Sequence, residues 1–337
     1  MGPLSFPQGA CLRSRTEKRR WAWGSLFVSV PFLAWTFLAV HFQLGAMGWW
    51  VYALPVLVAA IVLAASFRGA KRAWAVLGIM LVTVVVAWAQ VRPQQNRDWA
   101  PELSRGVQAE IDGPIVRLRN VRDFRWRTRD DGEARWITKT VDLDRLEHVD
   151  FIRTTWASEA IAHTMISFGF SDGQYVVFSA EIRREKHEKF SELGGFFKKF
   201  ELVLIGATEE DIVKLRTHAR NEDVSIYRLS MTPEQRRGLF LSYVGLGNDL
   251  AREPRWYQTI TTNCTTVIWK LARVVAPGLP MDWRILLSGY TQDYLYDLGV
   301  IANDRPLDVI KARARITAKA RALPGDADYS RAVRQGL

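Results

Sequence analysis

Thr261-Thr262-Asn263-Cys264-Thr265-Thr266 precedes Val267, Ile268, Trp269, Leu271, Ala272 and Val274, whose spacing follows one face of a helix. Small hydrogen-bonding residues ahead of such a pattern mark a helix N-terminus, with Thr262 or Asn263 able to cap it, so Cys264 is predicted in the first turn. There the positive end of the helix dipole favours thiolate over thiol. The chemistry this points to is nucleophilic catalysis, which needs an imidazole beside the sulfur and a third group to orient the imidazole.

Of the five histidines, His41 falls in an apolar block, His187 and His218 follow charged or helical stretches, and His148 precedes a strand in a charged context. His163 differs. Residues 163–170 alternate in the strand manner, Ser171-Asp172-Gly173 reads as a turn, and residues 175–182 return as a partner strand. Period two puts His163, Met165, Ser167 and Gly169 on one face, and Tyr175, Val177, Ser179 and Glu181 on one face of the return strand. Closing the hairpin at the turn sets Ser179 and Glu181 opposite the His163 end. A histidine with a polar neighbour on the adjacent strand suits a general base with an orienting partner. Taken alone such a histidine is more often a satisfied core residue; the order histidine, polar strand residue, cysteine at a helix start favours the base.

The elements that must position these residues divide the chain unevenly. Three apolar blocks, residues 21–44, 47–67 and 74–91, read as membrane spans and contain no Asp, Glu, Lys or Arg. Arg13, Arg15, Lys18, Arg19 and Arg20 precede the first, while Arg68, Lys71 and Arg72 separate the second from the third. Positive charge on the inner side then puts the N-terminus in the cytoplasm and everything after Val91 outside. The net charge of +11 reads as attraction to anionic head groups, since no aromatic-interleaved basic stripe or nucleic-acid module is present. Cys11 and Cys264 would be separated by the membrane, leaving Cys264 unpaired. The expected organisation is a basic cytoplasmic tail (1–20), a three-helix transmembrane anchor (21–91), a periplasmic domain (92–305) and a basic C-terminal tail (306–337).

Within the domain, residues 115–118, 135–143 and 149–154 read as strands, and so do 201–205 and 223–229. The arginines of Asn120-Val121-Arg122-Asp123-Phe124-Arg125-Trp126-Arg127 suggest a head-group or carboxylate pocket, with a solvated strand face as the alternative. Thr208 with Asp211, and Thr232-Pro233-Glu234-Gln235, carry helix-start signals. Pro277-Gly278 ends the Cys264 helix, and residues 283–298 read as one further amphipathic helix.

Ala162-His163-Thr164-Met165-Ile166-Ser167-Phe168-Gly169-Phe170, then Ser179-Ala180-Glu181-Ile182-Arg183-Arg184-Glu185, then Trp256-Tyr257 ahead of Thr262-Asn263-Cys264-Thr265-Thr266, resemble the Lnb N-terminal periplasmic domain family over roughly residues 92–298. The resemblance implies a circularly permuted papain-like domain, related in arrangement to NlpC/P60 peptidases and lecithin:retinol acyltransferases; with the three apolar spans ahead of it, which are not part of that domain, the expected fold is α+β, three N-terminal transmembrane helices followed by this domain. It implies Cys264 as nucleophile and His163 as base, with Glu181 first and Ser179 second as candidates for the third member. The Cys264 backbone amide would meet an oxyanion, helped by Tyr257 or Asn263. Arg183 is a candidate contact for phosphate or carboxylate, with surface pairing to Glu185 as the alternative.

The name-giving member of the family N-acylates bacterial lipoproteins. The resemblance therefore implies a membrane-anchored thiol enzyme of the bacterial inner membrane, an acyltransferase working through a Cys264 thioester on phospholipid or lipoprotein. A papain-like cysteine peptidase or amidase acting on envelope peptides, and a non-catalytic membrane-tethered scaffold, are the other readings. No cofactor and no metal are expected, because the histidines and cysteines lack ligand spacing and the acidic residues are scattered.

Overall fold

The computed structural model describes residues 9–156, 158–325 and 327–337. The chain forms two compact units: one runs to Pro93 and takes in Leu193–Lys199, the other comprises Gln94–Glu192 and Phe200–Leu337.

The first unit is helical, with α1 (Gly9–Leu44), α2 (Ala53–Phe67) and α3 (Ala70–Gln90). Two stretches among the described residues, Phe27–Met47 and Lys71–Gln90, are long and apolar enough to cross a membrane. The expectation of three spans is thereby corrected to two. Gly48, at φ 118°, breaks the chain after α1, and Trp49–Tyr52 forms a tight 3-10 turn. That leaves α2 with 15 residues, about 22 Å of rise against a hydrocarbon core about 30 Å thick. The backbone of residues 9–20, expected as a tail, already belongs to α1, and residues 1–8 lie outside those described. The Leu193–Lys199 segment packs within this unit: Phe197 stacks on Phe42 at 5.3 Å between ring centroids, and Gln43 Nε2 donates to the Phe197 carbonyl at 2.6 Å.

The second unit is built on an eight-stranded sheet. Its strands are β1 (Gln108–Asp112), β2 (Ile115–Arg122), β5 (Trp136–Asp142), β6 (Leu146–Thr155), β7 (His163–Phe170), β8 (Tyr175–Arg183), β9 (Glu201–Ala207) and β10 (Asp223–Leu229). A separate small hairpin, β3 (Arg125–Trp126) with β4 (Gly132–Glu133), precedes β5. The order is β1-β2-β9-β8-β7-β6-β10, with β5 along β2; β2 and β9 run parallel and the other pairs antiparallel. With this sheet and the helices that follow, the fold is mixed α+β.

Alternation along each strand feeds two apolar layers. On one face Ile166, Phe168 and Phe178 pack with Phe240 and Tyr243 of α5 (Pro233–Arg252) and Val267 of α6 (Cys264–Val275). On the other, Met165, Val177 and Ile205 pack with Ile212 and Val213 of α4 (Glu209–Lys214) and with Ile316, Ala320, Tyr329 and Val333 from the C-terminal segment. The segment expected as a basic tail is thus folded onto the sheet. Its Arg334 donates to Asp150 at 2.7 Å and to Glu209 at 2.6 Å, so its charge answers buried carboxylates.

The helix-start signals hold. Thr208 Oγ1 accepts from the Asp211 amide, and Thr232 with Gln235 forms a complete capping box. Two other expectations change. The arginine row forms no head-group pocket, because Arg122 is clamped by Asp211 at 2.8 Å, Arg125 by Glu210 at 2.8 Å and Arg127 by Asp131 at 2.8 Å. Residues 283–298 are not one helix but α7 (Trp283–Leu286), a 3-10 turn Ser288–Tyr290 and α8 (Thr291–Asp297). The break lets Ser288 Oγ donate to the Ala162 carbonyl at 2.6 Å and accept from the Ala162 amide at 2.9 Å. It also brings Gly289 so close to the backbone of Glu159 and Ala160 that a Cβ would collide with it.

Gly289→Ala is therefore expected to lower stability by about 1–3 kcal/mol, the range for forcing extra atoms into a packed site. Thermal unfolding tests this, and a midpoint equal to wild type would contradict the close approach.

Candidate active site

Asn263 caps α6. Its Oδ1 accepts from the Thr265 amide at 3.0 Å and the Thr266 amide at 2.8 Å, and Thr266 Oγ1 accepts from the Asn263 amide at 2.8 Å. Cys264 is thus the first residue of the helix, as the Thr-Asn-Cys-Thr-Thr run predicts. The Val267 amide makes the first intrahelical bond, to the Asn263 carbonyl, so the orphan donors of this helix end are the amides of Asn263, Cys264, Thr265 and Thr266, three of which are engaged locally. The fourth, the Cys264 amide, has no hydrogen-bond partner among the described residues and is available to an incoming oxygen.

Although α6 lies on the α5 face of the sheet, its first residue reaches the start of β7. Cys264 Sγ lies 4.0 Å from the Ala162 carbonyl oxygen, and Thr164 Oγ1 meets Thr265 Oγ1 at 3.0 Å. His163 is the first residue of β7. The β7–β8 ladder pairs Gly169 with Tyr175 through to Ile166 with Phe178, and beyond its last pair His163 faces the Ser179–Glu181 stretch of β8, the end expected from the turn. His163 Nε2 is 2.7 Å from Ser179 Oγ and 3.1 Å from Glu181 Oε1, and Ser179 Oγ donates to Glu181 Oε1 at 2.8 Å. With Nε2 so engaged, Nδ1 is the nitrogen left to face the thiol, and the two groups are close enough for their charges to act on each other.

The electrostatics follow from this packing. Burial alone pushes the Cys264 thiol up, but the His163 imidazolium and hydrogen bonds from Thr164 outweigh it and bring the thiol down to about 7. Burial likewise lowers His163, yet the Glu181 carboxylate and the Cys264 thiolate raise it to about 9. Glu181 is held well below the usual carboxylate range: burial raises it, and His163, Arg216 and the Ser179 hydroxyl more than reverse that. Between about 7 and 9 the site thus holds a thiolate–imidazolium pair.

The structure brings Cys264, His163, Ser179 and Glu181 together. The other three expected residues do different things. Asn263 Nδ2 donates to the Thr259 carbonyl at 2.8 Å, so its amide is engaged at both ends in shaping the turn. Tyr257 packs against the core cluster that includes Val267, and its phenol is pushed up by burial and by the Cys264 charge, remaining a neutral donor. Arg183 touches none of the four. It donates to the carbonyls of Leu103 and Ser104 and to Gln95, while Glu185, its expected partner, pairs with Arg97 at 2.7 Å. Sequence reading missed Arg216, whose Nη2 lies 3.3 Å from Glu181 Oε1. It stands on a π-helical turn, Leu215–Ala219, after α4, a departure from helical spacing that no local signal announces.

The arrangement sets an imidazole and a carboxylate from neighbouring strands beside a thiol at a helix start. Residues 132–289 match the model of the Lnb N-terminal periplasmic domain family, and all four clustered residues lie within the match. No curated protein and no solved structure matches the chain. Together with the two apolar helices, the family match points to a membrane-associated protein with a periplasmic domain.

Alkylation of Cys264 by iodoacetamide is expected to rise with pH around a midpoint near 7, because the thiolate is the reactive form. In Glu181→Gln the imidazole loses its negative partner and falls in pKa. The midpoint should then move up toward that of an ordinary thiol, slowing alkylation at pH 7 about tenfold for every pH unit by which it rises. A wild-type midpoint above about 8.5, the value of an unperturbed thiol, would refute the ion pair.

Proposed function

We propose that this protein is a membrane-anchored, cysteine-dependent acyltransferase of the bacterial envelope that forms a thioester on Cys264. The observation that carries the proposal is the Cys264–His163–Ser179/Glu181 cluster at a helix start, where the thiol is brought down to about 7. In the first half-reaction the thiolate attacks the ester carbonyl of a phospholipid acyl chain. The Cys264 amide donates to the oxyanion, the C–O bond breaks, and the lysolipid alkoxide takes its proton from the His163 imidazolium. In the second, an acceptor amine, such as a lipoprotein N-terminus, attacks the thioester, gives its proton to His163, and releases the acyl chain as an amide with return of the thiolate.

A permuted papain-like arrangement, with the N-terminus of the chain cytoplasmic and the thiol domain periplasmic, is part of the same reading. Apolar surface near the thiol favours an acyl chain over a polar peptide. Ile161 and Leu287 adjoin Ala162 and Ser288, which bond each other beside Cys264, and Ile260 precedes the Asn263 cap; all three are exposed. Cysteine amidase action on envelope peptides uses the same thiol and is the alternative outcome of the test.

Incubation of the purified protein with phospholipid is expected to add one acyl mass to the Cys264 peptide in wild type and none in Cys264→Ser. Ser179→Ala should slow adduct formation less than His163→Ala, since Glu181 still reaches Nε2. An unmodified thiol with phospholipid, together with cleavage of a peptidoglycan stem peptide, would replace acyl transfer by hydrolysis.

A further inference from the structure

The second unit contains a cavity of about 250 Å³ whose walls include Arg183, Arg105, Gln95, Ser104, Gln108 and Asn120. None of the residues lining it is acidic. Arg183 is 9% exposed, and all its hydrogen-bond acceptors are neutral: the Leu103 carbonyl at 3.0 Å, Gln95 Oε1 at 2.7 Å and the Ser104 carbonyl at 2.6 Å. Its guanidinium also lies 4.5 Å from the centroid of the Trp99 ring. Three bonds leave two of its five N–H donors unengaged. Arg105 is exposed and forms no ion pair among the described residues. Of the other buried arginines, Arg122 and Arg216 contact carboxylates directly, while Arg153 on β6 has, like Arg183, a neutral acceptor, the Glu159 carbonyl at 3.3 Å, but does not line this cavity. Glu201, paired with Arg183 across β8–β9, acts on it through space without a direct ion pair, and burial still lowers the Arg183 guanidinium; a polar cavity with two guanidinium groups and no acid on its walls is complementary to an oxyanion.

We propose that this cavity, apart from the thiol cluster, binds the phosphate of a small phosphate ester, with Arg183 and Arg105 as its ligands. Its volume admits a phosphate with one small polar substituent. Gln95, which holds the Arg183 guanidinium through Oε1, also donates to the Leu250 carbonyl, so the fork is fixed before the ligand arrives. The glycerol phosphate of a lipid head group and a soluble phosphate ester share this chemistry. The proposal does not depend on acyl transfer at Cys264.

The test uses the full chain purified in detergent. Binding of sn-glycerol 3-phosphate is followed by calorimetry and retention of phosphatidylglycerol by native mass spectrometry. Binding of either probe is expected to weaken at least tenfold in Arg183→Lys, which keeps the charge but loses the fork, and in Arg105→Ser. It should be unchanged in Cys264→Ser, and Arg105→Ser should keep wild-type alkylation of Cys264. Lipid retention without binding of the soluble ester assigns the ligand to a head group, and the reverse assigns it to a soluble ester. If Arg183→Lys fails to fold, Arg105→Ser decides alone, because that side chain is exposed. Binding of neither probe to wild type, or equal binding by wild type and Arg105→Ser, overturns the proposal.

Discussion

The site depends on one largely buried negative charge. Glu181 brings a carboxylate to the second face of the sheet, where desolvation would normally protonate it. It stays ionised because His163 and Arg216 approach the same oxygen and Ser179 donates to it. That charge raises the imidazole, and the raised imidazole lowers the thiol. Remove the carboxylate and each later step relaxes toward its solution value. The activation of Cys264 is therefore set on a strand that never touches the sulfur.

Two layers of the fold meet at this point. His163, Ser179 and Glu181 belong to the face packed by α4 and the C-terminal segment, whereas α6 belongs to the face packed by α5. They come together at the end of β7, where a strand start offers a side chain from one face and a backbone edge to the other. The Ala162–Ser288 pair of hydrogen bonds fixes that end, and the helix break at Gly289 permits it. Residues 283–298 thus sacrifice helical continuity to position the approach to the thiol. The Lnb N-terminal domain match covers the thiol cluster and this pinning turn together.

Arginine serves three purposes in the second unit, separated by what each guanidinium contacts. Arg122 and Arg334 clamp carboxylates and tie α4 and the C-terminal segment to the sheet. Arg216 supports Glu181. Arg183 has neutral acceptors only, and this sets its cavity apart from the structural pairs. Sequence reading offered Arg122 and Arg183 alike as anion contacts; their acceptors distinguish them.

Much of the site was legible because its signals are local. The Thr-Asn-Cys-Thr-Thr cap, the Ser-Asp-Gly turn and period-two alternation place Cys264 at a helix start and the Ser179–Glu181 end of the return strand opposite His163, within single elements or one hairpin. The strands from β6 to β10 and the capped starts of α4 and α5 were readable for the same reason. What the sequence could not determine involves contacts between distant segments. A 3-10 turn after Gly48 shortens the middle apolar helix, Gly289 meets Glu159 across the fold, and the C-terminal segment answers Asp150 and Glu209. Arg216 reaches Glu181 only through a π-helical turn. Local hydrogen-bonding and hydrophobic period determined the helix-start position of Cys264, the strand position of His163 and the return strand that carries Glu181; tertiary structure decided which charges are paired, because pairing depends on what burial brings within a few ångströms and not on spacing along the chain.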